Sequence, residues 1–246
     1  MAATFVVEDG TGKTDANSYL SVAGADAYFD NRGRPKLWFG VTGATFTFAT
    51  ADNSVSDSAS QFADLGFLAG QAVKISGAAQ AGNNEVFTIK TVAAGKLTFE
   101  RDNLVTAESA GNTVTIRPDS ETYLRHATFY LDRKYGPQYQ GIRANEDQAL
   151  LWPRYGVSRD GWSLDEDEMP VELLDATAEA ALLAAQLEDF WPEQTNPGGI
   201  EALRIKVGPI EEATTYAGSA SQMKSYPILD QIIEPLLEPA GRVLRA

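Results

Sequence analysis

The sequence has no cysteine and a single histidine, His126, among its 246 residues. Without thiols it forms no disulfide bond and no thiolate metal site, and one imidazole excludes a histidine-rich metal site. A Ser-His-Asp triad would need His126, but no G-x-S-x-G nucleophile elbow occurs. We therefore expect a protein that is not an enzyme and that holds no cofactor and no metal.

The chain also lacks a long apolar run and a run of basic residues. No stretch approaches the roughly 18–20 apolar residues that span a bilayer. The first ten residues have no basic start, so we expect neither a signal peptide nor a membrane partner. With 20 Lys and Arg against 34 Asp and Glu, the net charge is −14. Tight nucleic-acid binding normally needs a basic patch, which this balance disfavours. The small basic clusters at 32–36 and 242–245 suit the ends of helices.

Two short motifs suggest chemistry that their context does not support. Gly12-Lys13-Thr14 resembles the end of a phosphate-binding loop, but Val7 stands where that pattern needs its first glycine. The acidic run 165–168 could hold a divalent cation or serve an enzyme as acid and base. Its position before a predicted helix favours a simpler role, because carboxylates stabilise helix N-termini.

Residues 41–117 differ in amino-acid composition from the rest of the chain. They contain no Trp, Tyr or Pro, although the chain has four, nine and eleven of these. Short alternating runs recur at 44–50, 71–76, 85–90, 96–100 and 112–117, separated by turn residues. This pattern predicts an inserted antiparallel β-module of about five strands, a small barrel or sandwich.

The flanks, residues 1–40 and 118–246, predict a discontinuous, mainly α-helical bundle, so that the whole chain is an α+β protein. Predicted helices follow the cap Ser21, begin at Asp119 or Ser120 and end at Gly136, cover 146–152, follow Met169-Pro170, and cover 226–238. Residues 203–216 are predicted to be extended or a hairpin. In QALLWPR, Pro153 should end the third helix, and Trp152 should be a core anchor whose indole N–H reaches a backbone carbonyl. Arg154 should pair with a carboxylate, either in its own subunit or in the next one.

Four segments carry a resemblance to a known family: FVVEDGTGKTDANSYLSVAGADAYFDNRG at 5–33, ATFYLDRKYGPQYQGIRANEDQALLWPRYGV at 127–157, MPVELLDATAEAALLA at 169–184 and IKVGPIEEATTYA at 205–217. Together they resemble tailed-phage head–tail connector (adaptor) proteins that are labelled DnaT-like. The segment GQAVKISGAAQAGNNEVFTIKTVAAGKLTFERDNLVTAESAGNTVTI resembles a small β-module of phage tail and neck proteins.

The resemblance implies a structural protein of the virion neck, assembled in the host bacterial cytoplasm. It would form a homo-oligomeric ring of twelve subunits under the portal protein, join head to tail, and meet a tail-side neck or tail protein. DNA would pass through its channel during genome ejection without sequence-specific binding. The net negative charge of the chain fits such a channel, because acidic side chains do not bind the phosphates of DNA.

Two sets of residues are candidates for these contacts. The C-terminal segment is expected to dock on the portal through Tyr226, Leu229, Ile232, Ile233, Leu236, Leu237, Arg242 and Arg245. Contacts between subunits or within the fold are expected at Trp152, Pro153, Arg154, Ala178, Ala181 and Ala185. The small alanines would let helices approach closely, although helix propensity alone also explains them. The alternative function is that of a nucleic-acid-binding replication accessory protein, as the DnaT-like label suggests.

Overall fold

A computed structural model shows an α+β protein built around an antiparallel sheet. The structure describes residues 4–101, 103–188, 190, 202–207, 210–215 and 226–238, with only the backbone of 202–207 and 210–215. Two compact units form, one from Met1–Glu188 with Ile228–Ala246 and the other from Asp189–Pro227. No helix among the described residues is long and apolar enough to cross a membrane.

Seven strands form the largest element. They are β1 (Val41–Gly43), β2 (Phe46–Ala49), β3 (Ser54–Asp57), β4 (Ala72–Ser76), β5 (Val86–Ala93), β6 (Lys96–Phe99) and β7 (Val114–Pro118), in the order β1-β7-β4-β5-β6-β3-β2. All neighbours are antiparallel. The outermost strands β1 and β2 follow each other in the chain with only two residues between them, so the sheet curls enough to bring its two edges near each other. Inside it lies a core of apolar side chains drawn from residues 37–116.

Five helices occur in the described residues: α1 (Val22–Asn31), α2 (Lys36–Phe39), α3 (Ser120–Tyr135), α4 (Val171–Ala185) and α5 (Pro227–Ile233). Helix α3 packs against α4, and α1 lies beside both. The expectation of a mainly α-helical bundle is wrong. The large sheet has its own core, and the long connection between α3 and α4 is mostly irregular rather than helical. The predicted boundaries of the two domains, 1–40 with 118–246 and 41–117, remain a prediction.

Three two-stranded ribbons complete the structure. The pairs are β8 (Ile142–Arg143) with β9 (Arg154–Tyr155), β10 (Ser158–Arg159) with β11 (Trp162–Ser163), and β12 (Ala202–Val207) with β13 (Ile210–Thr215). The last pair confirms the hairpin predicted for 203–216. The ribbons β8–β9 and β10–β11 were not predicted from the sequence.

Local signals explain which helices could be predicted. Ser21 caps α1 because its Oγ accepts a hydrogen bond from the Gly24 N–H at 3.0 Å. Helix α3 begins and ends at the predicted positions. The helix predicted over 146–152 is absent. Gln148 is buried, and its amide bonds to the backbone of Asn145, Leu150 and Pro153, which holds this stretch as a series of turns.

Candidate nucleic-acid interface

The outer face of α3 carries two arginines and an exposed aromatic ring. Arg125, Phe129 and Arg133 are spaced by four residues, so they form one stripe along the helix. The opposite face, which includes Leu124, Ala127 and Leu131, is buried in the protein. Packing of that apolar face therefore fixes which side chains point outward.

This stripe borders an open groove of about 840 Å³, which we call the α3 groove. Its lining comprises Ala16, Asn17, Arg125, His126, Thr128, Phe129, Asp132, Arg133, Gly136, Pro137, Ala149, Leu150 and Leu151. Phe129 is 54% exposed. The Arg133 guanidinium lies 5.1 Å from the centre of the Phe129 ring, and Arg125 lies 5.9 Å from the ring of Phe5. The groove thus combines an accessible π-face with two permanent positive charges.

A hydrogen-bonded network forms the floor of the α3 groove. The hydroxyl of Tyr19 donates to Asp132 and accepts from the N–H groups of Leu151 and Trp152 at 3.1 and 3.3 Å. Asp132 Oδ2 also accepts from the Leu151 N–H at 3.2 Å. Burial raises the pKa of Asp132 to about 6, against the lowering effect of the Tyr19 hydrogen bond. Partial burial and the adjacent Arg125 lower the pKa of His126, so near neutral pH the cations of the groove are its two arginines.

The WPR segment is a structural joint inside one chain. Trp152 is 1% exposed and packs edge-on against Tyr139, with ring centroids 5.6 Å apart. The peptide bond to Pro153 is cis. Arg154 donates to the carbonyls of Gln140, Leu151 and Gly141 at 2.7, 3.2 and 2.6 Å.

The two contacts expected for this segment within its own chain are not found among the described residues, and a pairing of Arg154 with a neighbouring subunit stays a prediction. Arg154 bonds to backbone carbonyls of its own chain and forms no ion pair with a carboxylate there. The indole nitrogen of Trp152 makes no hydrogen bond to a backbone carbonyl there. The Arg154 guanidinium links residues 140–141, which precede β8, to residue 151, which precedes β9. These bonds help to hold β8 beside β9.

The other predicted site residues lie mostly inside the fold. Ala178, Ala181 and Ala185 are fully buried in the described chain, on the helix that packs against α3. Leu229, Ile233 and Leu236 are also fully buried, whereas Ile232 and Leu237 are partly exposed. Tyr226 packs edge-on against Phe190, with centroids 5.5 Å apart. Arg242 and Arg245 lie outside the described residues.

The loop that resembles a phosphate cradle is occupied by a side chain of the protein. Glu8 is buried, and its Oε1 accepts from the N–H groups of Gly10 and Gly12 at 3.0 and 2.9 Å. Its Oε2 accepts from the Lys13 N–H at 2.8 Å, and the Lys13 ammonium bonds to the Val7 carbonyl and to Asp9. An internal carboxylate thus takes the place that a phosphate would need, so the loop serves the fold.

The acidic run also lacks the geometry of a metal site. No group of three or more potential ligands is found among the described residues. All four carboxylates at 165–168 are exposed. They precede α4, whose first turn begins at Val171.

The fold and the groove define an α+β protein with an arginine- and aromatic-lined surface on one helix. The chain belongs to the family described as "Putative DnaT-like ssDNA binding protein", whose model matches residues 3–38 and 100–246. The unmatched stretch 39–99 contains β1 to β6, while β7 and every residue that lines the α3 groove lie in matched segments. No curated protein and no solved structure matches the chain.

Proposed function

We propose that this protein binds single-stranded DNA in the α3 groove. The observation that carries the proposal is the stripe of Arg125, Phe129 and Arg133 beside an open groove of about 840 Å³. Proteins that bind single strands without sequence preference combine cations that follow the backbone with aromatic rings on which bases stack. Phe129 offers the ring, and the two guanidinium groups lie one turn to either side of it.

The family description supports the same function. It names single-stranded DNA as the ligand of the family, and the matched segments include the whole lining of the groove. A base stacked on Phe129 would place its phosphates near Arg125 or Arg133. The apolar side chains of Pro137, Leu150 and Leu151 would exclude water from the other side of that base.

The net charge of −14 sets a limit on affinity. Binding must rest on a local patch of two arginines inside a repulsive overall field. Each neutralised phosphate contributes about 0.7 to the slope of log affinity against log salt for single strands, so two contacts predict a slope of about −1.4. Raising the salt from about 50 to about 200 mM should then weaken binding roughly sevenfold.

Fluorescence anisotropy with labelled oligo(dT) of about 15 nucleotides tests the proposal. Phe129→Ala should weaken binding about 5- to 150-fold, the range for one lost stacking contact. Arg133→Glu should weaken it and lower the salt slope by at least about 0.7. Lys90→Glu makes the same charge reversal on an exposed residue of β5, outside the groove, and should bind like the wild type. Equal loss in Lys90→Glu and Arg133→Glu, or no binding at low salt, would disprove the site.

A second candidate function is that of a tailed-phage neck adaptor, and the acidic balance is the observation that favours it. Each chain has 34 acidic and 20 basic residues, and a channel wall with the same excess of acidic residues would let DNA slide past without adhering. The resemblance of the four flanking segments points the same way. It would make the chain a ring-forming partner of portal and tail-side proteins in the virion.

Mass measurement with the portal protein encoded by the same genome distinguishes the two functions. An adaptor should form a ring on the portal, and oligo(dT) should have no effect on that complex. Absence of any complex with the portal would remove the adaptor function and leave the groove proposal untouched.

A further inference from the structure

The hairpin β10–β11 presents a tryptophan to solvent. Its turn residues Asp160 and Gly161 both have positive φ, 52° and 85°, as a tight type I′ turn requires. Trp162 follows the turn directly and is 79% exposed. Tryptophan is among the residues that dominate binding energy in interfaces, so this exposed ring is a candidate contact for a partner.

This hairpin is held in place by its base. Arg159, the cross-strand partner of Trp162, donates to both carboxylate oxygens of Glu172 at 2.8 and 2.9 Å. The Leu164 N–H donates to the carbonyl of the buried Val157 at 3.0 Å. The hairpin that carries Trp162 is therefore already ordered, which lowers the entropic cost of binding a partner.

Acidic residues lie on both sides of Trp162 in the sequence. Asp160 and the four carboxylates at 165–168 are exposed, while Arg159, the cross-strand partner of Trp162, is already paired with Glu172. An aromatic ring near carboxylates shares two features with a nucleotide, a flat surface for stacking and negative charge. Repulsion from these carboxylates disfavours nucleic acid and anionic lipid as partners of the hairpin.

A complementary surface exists on the same protein. The α3 groove offers Phe129 for stacking and Arg125 and Arg133 for ion pairs, and its other wall is apolar. Trp162 does not line the groove of its own chain. We propose that the Trp162 hairpin of one copy occupies the α3 groove of a second copy, in competition with single-stranded DNA.

Such a contact joins two different surfaces, so it is heterologous and can continue into a closed ring or an open chain. It consists of one hairpin in one groove, which is small for a stable interface. Association should accordingly depend on protein concentration and weaken as salt screens the ion pairs. The self-association does not require the groove to bind DNA; only the competition rests on the proposed function.

Sedimentation velocity over a series of protein concentrations tests the contact. The wild type should associate, and Trp162→Ser should weaken association at least tenfold. Arg133→Glu should do the same from the groove side. Leu104→Ser removes another exposed apolar side chain, 61% exposed and outside the hairpin, and should associate like the wild type. A wild type that stays monomeric, or a Trp162→Ser variant that associates normally, would overturn the proposal.

Mixing the two variants separates the surfaces. Trp162→Ser keeps an intact groove and Arg133→Glu keeps an intact hairpin, so the mixture should form a one-to-one complex although each variant alone does not associate. Failure of the mixture to form it, with both variants folded by circular dichroism, would contradict the pairing.

Addition of oligo(dT) tests whether single-stranded DNA and the second copy compete for the α3 groove. It should dissociate wild-type oligomers, and Trp162→Ser should bind it at least as tightly as the wild type does. If no variant binds oligo(dT) but the pattern of association holds, the DNA function fails and the self-contact stands. If oligo(dT) binds while the wild type remains monomeric, the self-contact fails and the DNA function stands.

Discussion

The hydroxyl of Tyr19 donates a hydrogen bond to the carboxylate of Asp132, which lies 113 residues further along the chain. The same hydroxyl accepts the N–H groups of Leu151 and Trp152. One side chain before α1 thus connects α3 to the WPR joint and supports the floor of the α3 groove. Its loss should affect three parts of the structure together.

Tyr19→Phe should lower the free energy of unfolding by about 2–3 kcal/mol. The change removes a hydrogen bond to a buried carboxylate and leaves two backbone N–H groups without the hydroxyl as acceptor. Urea denaturation measures the difference. Tyr155→Phe is the matched control, because the Tyr155 hydroxyl bonds to Glu166 at the surface. A loss below about 0.5 kcal/mol in Tyr19→Phe would show that the network contributes little.

Asp132 should make the protein more stable at pH 5 than at pH 7. Its pKa is about 6 in the folded chain, above the usual 3.8, because burial disfavours the charged form. Between these values the folded chain binds a proton that the unfolded chain does not. The stabilisation is complete below the unfolded pKa and is lost as the pH rises through about 6, with a limit of about 3 kcal/mol.

Comparison with Asp132→Asn isolates this contribution from other carboxylates. Asp26, Asp57 and Glu108 have lowered pKa values and oppose the trend as the pH falls. The difference in unfolding free energy between wild type and Asp132→Asn should therefore grow in favour of the wild type from pH 7 to pH 5. A difference that is independent of pH would refute the raised pKa.

The two sides of α3 show how far the sequence could predict the site. The apolar positions of this helix follow its 3.6-residue period, so its span could be predicted. The stripe of Arg125, Phe129 and Arg133 has equally regular spacing, so it could have been predicted from the same segment. It was missed because the net charge describes the whole surface, whereas binding depends on where individual charges lie.

Strand β3 and the QALLWPR stretch mark the opposite case. Strand β3 has the sequence SVSD, in which only Val55 is apolar, and it takes its place by pairing with β2 and β6. The apolar run before Pro153 has helical character by itself. Long-range bonds to Tyr19 and Asp132 outweigh that propensity. Partners this distant in the chain leave no local pattern. The Asp160-Gly161 pair, by contrast, is a typical hairpin turn sequence, so the hairpin β10–β11 could have been predicted from local sequence.

Trp152→Ala should destabilise the protein by about 3–5 kcal/mol, because the indole is buried and its removal leaves a cavity. Trp162→Ala provides the matched comparison, since the same substitution at a ring that is 79% exposed should change stability by less than about 0.5 kcal/mol. Thermal and urea unfolding of the two variants measure both values. Similar losses in the two variants would contradict the anchoring role of Trp152.

Gly10 and Gly33 offer a test of the contact between the N-terminal loop and the acidic run. Both have φ of +98°, so alanine is strained at either position. A Cβ at Gly33 would meet nothing within 4 Å, whereas a Cβ at Gly10 would lie 1.9 Å from the carbonyl oxygen of Asp167. Gly33→Ala should then cost about 1–2 kcal/mol from backbone strain alone.

Gly10→Ala should cost clearly more than Gly33→Ala, because the loop around Glu8 and the segment before α4 must also move apart. Urea denaturation of the two variants gives the difference directly, and the shared φ removes the backbone contribution from it. Equal losses would mean that the backbone of residues 8–13 does not lie against Asp167 in solution.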